Sequence, residues 1–136
     1  MKKIYNEDYY MYRLCNIKGI GRASVRKLVD FFGSAYNASK ADINILKKSG
    51  ILNGRQIDEF AFSMKNKDTI YKYEDMIKNG CNWISINNNN YPERLHNIDD
   101  APLGLYCRGN LPPDDRLSVA IIGSRNCSSY GRRMAY

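Results

Sequence analysis

A short loop near the end of the sequence has the residue types that bind phosphate. Glycine lets the backbone approach a ligand, hydroxyl groups donate hydrogen bonds, and the Arg125 guanidinium offers a planar fork of donors that matches phosphate oxygens. The loop follows the β-branched run at residues 119–122. That run predicts a buried strand leading to a helix N-terminus, where free N–H groups favour an anion. The candidate phosphate ligands are Gly123, Ser124, Arg125, Ser128, Tyr130 and Gly131.

A second set of candidate phosphate ligands lies near the start of the chain. Residues 17–21 (Ile-Lys-Gly-Ile-Gly) precede an apolar helical face, and their two glycines allow a tight hairpin. The pattern resembles a helix-hairpin-helix motif, which contacts the DNA backbone without reading its sequence. The same residues also fit a purely structural turn, and a second candidate hairpin at residues 49–54 is interpreted as structural. The candidate ligands of the first hairpin are Gly19, Gly21, Arg22 and Ser24.

No residue pattern in the sequence is typical of catalysis or of metal binding. His96 is the single histidine, and the four cysteines include no C-x-x-C pair. Zinc sites and disulfide frameworks depend on such clusters, so the sequence predicts reduced thiols, no metal and no cofactor. Asp99 and Asp100 precede Pro102 and are interpreted as turn formers. We therefore expect a protein that is not an enzyme.

The first half of the chain, which must position the hairpin, is predicted to be helical. Val25, Leu28 and Phe32 recur at helical spacing, and Gly33 follows as a C-terminal stop. Two further helices are predicted to begin with capping boxes. These candidate boxes are Ser39 with Asp42 and Asn53 with Gln56. Residues 1–64 are therefore expected to form an all-helical domain.

The second half is predicted to be mixed α/β. Its strands are predicted at residues 81–86, 103–107 and 118–122, after a helix that ends at Gly80. The polar residues 62–68 mark the boundary between the halves, and residues 112–115 are predicted as a turn. Because so few strands do not make a doubly wound domain, the sequence predicts that the chain is cut short.

The charge of the chain favours an anionic partner. The formal net charge is +7, and residues 1–64 carry eleven Lys or Arg against six Asp or Glu. A basic surface of this kind is common in proteins that bind nucleic acid. No apolar stretch is long enough for a signal peptide or a membrane span, so we expect a cytoplasmic protein without a membrane partner.

Several short segments occur in an order that resembles the DNA-processing protein A family (DprA, also called Smf). They are Tyr91-Pro92, Asp100-Ala101-Pro102, Leu105-Tyr106-Cys107-Arg108-Gly109, Gly123-Ser124-Arg125 and Tyr130-Gly131. In that family a small helical domain precedes an extended Rossmann domain. The resemblance thus implies a helix-hairpin-helix (SAM-like) domain at residues 1–64 and the incomplete start of a Rossmann-like domain at residues 65–136. The expected fold combines the α+β and α/β classes.

The resemblance also implies a function. Members of the family bind single-stranded DNA and help to load the RecA recombinase during natural transformation, without catalysis. It implies that Gly123, Ser124 and Arg125 contact DNA phosphates and that Ser128, Tyr130 and Gly131 continue this loop. The family forms homodimers, but its dimerisation surface and later glycine-rich loops have no counterpart in this sequence.

Two alternatives remain open from the sequence. One is a nucleotide-binding Rossmann enzyme of the phosphoribohydrolase (lysine-decarboxylase-like) class, whose first phosphate loop is similar. Those enzymes depend on a later Pro-Gly-Gly-x-Gly-Thr motif that this sequence lacks. The other is a hairpin module joined to a non-functional Rossmann stub. The basic helical block favours DNA over a small nucleotide.

Overall fold

The computed structural model describes residues 5–113 and 117–135 as a mixed α+β arrangement that is rich in helices. In chain order the elements are α1 (Glu7–Cys15), α2 (Arg22–Phe32), α3 (Ala35–Ser39), α4 (Ile43–Ser49), α5 (Gly54–Lys65), α6 (Asp68–Lys78), β1 (Cys81–Ser85), α7 (Glu93–His96), β2 (Gly104–Arg108) and α8 (Ser129–Met134). Part of the turn predicted at residues 112–115 lies outside the described residues, as does Tyr136 at the end of the predicted second domain.

Side-chain caps fix the helix boundaries in the first half. The predicted capping box of Asn53 and Gln56 is confirmed, because each backbone N–H donates to the other side chain at 3.0 Å and α5 begins there. The predicted box of Ser39 and Asp42 is wrong. Asp42 directly precedes α4 and caps it by accepting a hydrogen bond from Asn44 N at 2.8 Å, whereas Ser39 ends α3. The residue adjacent to the free N–H groups takes the cap.

Helix α1 lies at the centre of the packing and contacts α3, α6 and β1. Its buried side chains Met11 and Leu14 belong to a core that both halves of the chain share. Residues of the first half in that core include Leu28, Leu46 and Phe60, and residues of the second half include Ile86, Tyr91, Ala101 and Leu103.

Polar side chains of α1 join its two ends to other elements. In the first turn, the buried Asp8 carboxylate accepts hydrogen bonds from Ser85 N at 3.0 Å and from Asn88 Nδ2 at 2.5 Å. In the last turn, Arg13 Nη2 donates to the Met64 carbonyl at 2.6 Å. Carbonyls at a helix C-terminus lack partners within the helix, so Arg13 stabilises the end of α5.

The sheet consists of the antiparallel pair β1 and β2 within the described residues, with Trp83 opposite Tyr106 and Ser85 opposite Gly104. The strands predicted at residues 81–86 and 103–107 are confirmed to within one residue at each end. The Trp83 ring lies against Gly104, and a methyl group added to Gly104 would overlap it. Glycine at this position therefore makes room for the indole.

The strand predicted at residues 118–122 is wrong for this structure. These residues form no strand, and Val119 and Ile122 are 89% and 92% exposed. A strand needs a neighbouring backbone to satisfy its N–H and C=O groups, and a parallel sheet needs cover on both faces. The two strands that the structure describes pair with each other and leave residues 118–122 without that support.

The division of the chain at residues 64 and 65 stays a prediction. The structure packs the two segments together, through the shared core and through the hydrogen bond from Ser85 N to Asp8. Contact between the segments does not decide whether they unfold together or separately, because sub-global units of one structure open with different free energies.

Candidate nucleic-acid interface

The loop predicted to bind phosphate is exposed. Gly123, Ser124 and Arg125 are all open to solvent. Ser124 Oγ accepts a hydrogen bond from Asn126 N at 3.1 Å, which fixes a local turn and leaves the Ser124 O–H free in direction to donate elsewhere. The Arg125 side chain is therefore accessible to an anion. The residues before the loop, 119–122, do not form the buried strand that was predicted to position it.

Residues further along this loop form the start of α8. Ser128 Oγ accepts from Gly131 N at 3.1 Å, so Ser128 caps the helix and the N–H of Gly131 is already bonded. Tyr130 is 65% exposed in the first turn. Of the predicted ligands in this segment, Ser128 and Gly131 have a structural role, and Tyr130 offers an open aromatic ring.

Two cations in α8 are absent from the ligands predicted from the sequence. Arg132 and Arg133 are exposed and lie in the last turn of the helix. Together with Arg125 they place three guanidinium groups within nine residues, and we call residues 123–133 the arginine segment. The signal was present in the sequence as an adjacent pair of arginines close to a glycine-serine loop.

The first candidate hairpin is the short connection between α1 and α2, and its assignment to a helix-hairpin-helix motif stays a prediction. Gly19 has a φ of 78°, a conformation that glycine adopts without strain, and Ile17 and Ile20 are buried on either side of it. Gly21 is the N-cap of α2 and provides no side-chain cap. The first N–H groups of α2 consequently have no side-chain acceptor at the N-cap. Val25, which stands one turn along, is fully buried.

The second candidate hairpin lies beside the first. Gln56 Nε2, at the start of α5, donates to the Gly19 carbonyl at 2.9 Å and so joins the two loops. A groove of about 360 Å³ lies between them. It is lined by Lys18, Gly19, Asn53, Arg55, Gln56 and Glu59. The interpretation of residues 49–54 as structural stays a prediction, and Arg55 adds an exposed cation next to the hairpin.

Arg22, one of the predicted ligands, already has an anionic partner. Its Nη2 lies 2.5 Å from Asp100 Oδ2, and the two side chains are 57% and 77% exposed. One turn further along α2, Arg26 Nη2 donates to the Ala101 carbonyl at 2.8 Å. The two residues are 78 positions apart in sequence, so no local sequence pattern predicts their ion pair. Ser24 is half-buried in the same turn of α2.

Groups that could support catalysis are dispersed. His96 is exposed and contacts the Tyr91 ring edge-on at 4.8 Å between centroids. Burial raises the pKa of the Cys15 thiol to about 11, so this cysteine is protonated at neutral pH and is a poor nucleophile. Within residues 5–113 and 117–135, no three His, Cys, Asp or Glu side chains cluster as a metal site requires.

The aromatic residues of α1 line the interior of the fold. Tyr12 packs edge-on against Trp83 with ring centroids 5.4 Å apart, and both side chains are buried. Tyr106 also packs edge-on against Trp83, with ring centroids 4.9 Å apart, and is 60% exposed. Trp83 and Tyr12 are therefore packing residues, and Tyr106 is the member of this group that faces solvent.

Comparisons with known proteins find similarity over part of the chain. Residues 82–136 match the family described as DNA recombination-mediator protein A. A segment of 38 residues is 47% identical to Protein Smf of Borreliella burgdorferi and covers 28% of this chain and 12% of that protein. The match thus spans about an eighth of the relative's length. No solved structure matches the chain. No helix among the described residues is long and apolar enough to cross a membrane.

Proposed function

We propose that this chain, which matches the DNA recombination-mediator protein A family over residues 82–136, is part of a DNA-processing protein that binds single-stranded DNA by its phosphates. The observation that carries the proposal is the position of the family match, which includes the exposed Gly123-Ser124-Arg125 loop. The match favours this function over the phosphoribohydrolase alternative. It also supports a protein without enzymatic activity.

The arginine segment supplies the main contact in this proposal. The guanidinium of Arg125 pairs with phosphate oxygens through two parallel N–H donors, while Gly123 and the Ser124 hydroxyl allow close approach of the backbone. Arg132 and Arg133 extend the positive surface along α8, and Tyr130 offers a face on which a base can stack. These contacts involve the sugar-phosphate backbone and base faces, so binding is indifferent to base sequence.

The hairpin at Gly19 supplies a second contact. Its N–H groups at the uncapped start of α2 and the cations Lys18 and Arg55 next to it suit the phosphate backbone. The excess of Lys and Arg in residues 1–64 adds long-range attraction for a polyanion. In this proposal, residues 1–64 are a helix-hairpin-helix (SAM-like) domain, and the domain boundary lies at residues 64 and 65.

The family supports three further parts of the proposal. Residues 65–136 are the start of a Rossmann-like domain. The protein assists RecA loading in natural transformation, and its proposed assembly is the homodimer that the family resemblance implies. The four free cysteines fit a reducing compartment, so the cytoplasm is the proposed location.

The proposal is tested by fluorescence anisotropy with labelled oligonucleotides and the 136-residue chain. We expect a Kd of about 1–100 μM with oligothymidylate near physiological salt, and a linear fall of log K with log salt concentration. A mixed-sequence oligonucleotide of equal length is expected to bind equally well. Absence of binding at low salt, or a strong preference for one sequence, contradicts the proposal.

A further inference from the structure

The carboxylate of Asp100, from the second half of the chain, forms an ion pair with Arg22, the first residue of α2. Asp100 Oδ2 lies 2.5 Å from Arg22 Nη2, next to the hairpin of Gly19 and Gly21. A carboxylate and a phosphate present the same kind of oxygen pair to a guanidinium, and both form bidentate contacts with arginine. Asp100 therefore fills the position at Arg22 that a DNA phosphate would take.

The chain holds Asp100 in place by the residues around it. Ala101 is 2% exposed, its N–H donates to the Ile98 carbonyl at 3.2 Å, and its own carbonyl accepts from Arg26 Nη2 at 2.8 Å. The Tyr91 hydroxyl donates to the Pro102 carbonyl at 2.8 Å. The Asp100 side chain thus projects from an anchored backbone, and little further ordering is needed to bring its carboxylate to Arg22.

The ion pair is nevertheless weak enough to be displaced. Both side chains are more than half exposed, and exposed ion pairs contribute little because water and salt screen them. A single-stranded nucleic acid brings many phosphates and releases condensed counterions when it binds cations, which favours it over one carboxylate at low salt. Displacement exposes Arg22 without disturbing the bond from Arg26 to Ala101.

We propose that Asp100 is an internal competitor for the Arg22 phosphate site and lowers the affinity of the hairpin for single-stranded DNA until a phosphate replaces it. This inference rests on the proposed function, since it requires that the hairpin bind the DNA backbone. It assigns Asp100 a role beyond that of a turn former, and it makes DNA binding by the first half depend on a residue of the second.

The test is a double-mutant cycle measured by anisotropy with labelled oligothymidylate. Asp100→Asn removes the competing charge, and Asp99→Asn is the matched control because it makes the same charge change at an exposed neighbour. We expect Asp100→Asn to bind roughly two- to five-fold tighter than Asp99→Asn, the range that an exposed ion pair can contribute. In the Arg22→Gln background the gain of Asp100→Asn over Asp99→Asn is expected to disappear.

The outcomes separate this inference from the proposed function. If the parent chain binds DNA and Asp100→Asn equals Asp99→Asn, the competition is refuted while the function stands. A gain that persists with Arg22→Gln also refutes it, because the effect then does not pass through Arg22. Binding by Asp100→Asn but not by the parent supports the competition. Binding by none of the variants contradicts both. Circular dichroism spectra of all variants are expected to overlay.

Discussion

The carboxylate of Asp8 accepts a hydrogen bond from the backbone N–H of Ser85 at 3.0 Å and so joins the first turn of α1 to the end of β1. The same carboxylate accepts from Asn88 Nδ2 at 2.5 Å, so two donors from the second half of the chain meet one buried anion of the first. This contact is a direct link between the helical half and the sheet.

Asp8→Asn is expected to lower the free energy of unfolding by about 1–3 kcal/mol, because an amide directs its NH2 group at one of two donors and leaves that donor unsatisfied. Urea unfolding followed by circular dichroism measures the change. Asp58→Asn, at an exposed position on α5, is the matched control and is expected to change stability by less than about 0.5 kcal/mol. Equal effects of the two variants would show that Asp8 does not join the halves.

Gly104→Ala tests the packing of strand β2 against the indole ring of Trp83. The added methyl group overlaps the Trp83 ring, so the ring must move, and overpacking of this kind costs about 1–3 kcal/mol. Trp83 is the single tryptophan, so its fluorescence reports the displacement directly. Gly54→Ala is the control, since a methyl group there meets nothing within 4 Å. An unchanged emission spectrum and unchanged stability in Gly104→Ala would contradict the packing.

Stability is expected to fall as the pH rises above 10. A hydrogen bond to Glu74 raises the pKa of Tyr5 to about 12, and burial raises the pKa of four other tyrosines. These four are Tyr9, Tyr12, Tyr73 and Tyr91. Tyrosines of the unfolded chain ionise near pH 10, before those of the folded chain, so the stabilisation present below pH 10 is lost above it.

Urea titrations at several values of pH measure that alkaline loss. Tyr12→Phe removes one titrating group and is expected to make the fall with pH shallower, whereas Tyr71→Phe, at an exposed position, serves as the control. A stability that stays constant between pH 9 and pH 11 would show that these pKa values are not raised by folding.

Hydrogen exchange is expected to distinguish the two ends of the chain. Amides of α1 such as Leu14 lie in the core and are expected to exchange slowly, while amides of residues 117–127 are exposed and outside helices and strands, and are expected to exchange at nearly the unprotected rate. The first half as a whole is expected to be more protected than the second. Equal protection in both halves, measured by mass spectrometry of peptic fragments, would refute this.

The comparison of sequence and structure shows which features are local. The capping box at Asn53 and the helix end at Gly33 depend on residues close in sequence, and both were predicted. Strands β1 and β2 were also predicted, and each supplies the neighbouring backbone that the other needs. The strand at residues 118–122 depends on neighbours that its own apolar pattern does not specify. The partner of Arg22 is 78 residues away, so no local pattern predicts that this candidate ligand is paired with Asp100.

The candidate site also combines features that the local sequence predicts with features that it does not. The exposure of Gly123, Ser124 and Arg125 follows from polar and glycine residues in one short run. The role of Ser128 as a helix cap was missed because the sequence pattern assigned its hydroxyl to a ligand. Arg132 and Arg133 were not predicted as ligands, because they follow the glycine-serine loop and carry no motif of their own.

The measurement that tests the central claim most directly is the affinity of Arg125→Gln for labelled oligothymidylate at low salt, beside Arg108→Gln. Both variants remove one exposed guanidinium, but Arg108 ends β2 outside the arginine segment. A charge-assisted hydrogen bond contributes about 1.5–3 kcal/mol, so Arg125→Gln is expected to weaken binding roughly ten-fold or more, and Arg108→Gln much less. Equal affinities of the two variants would contradict a phosphate site at Arg125.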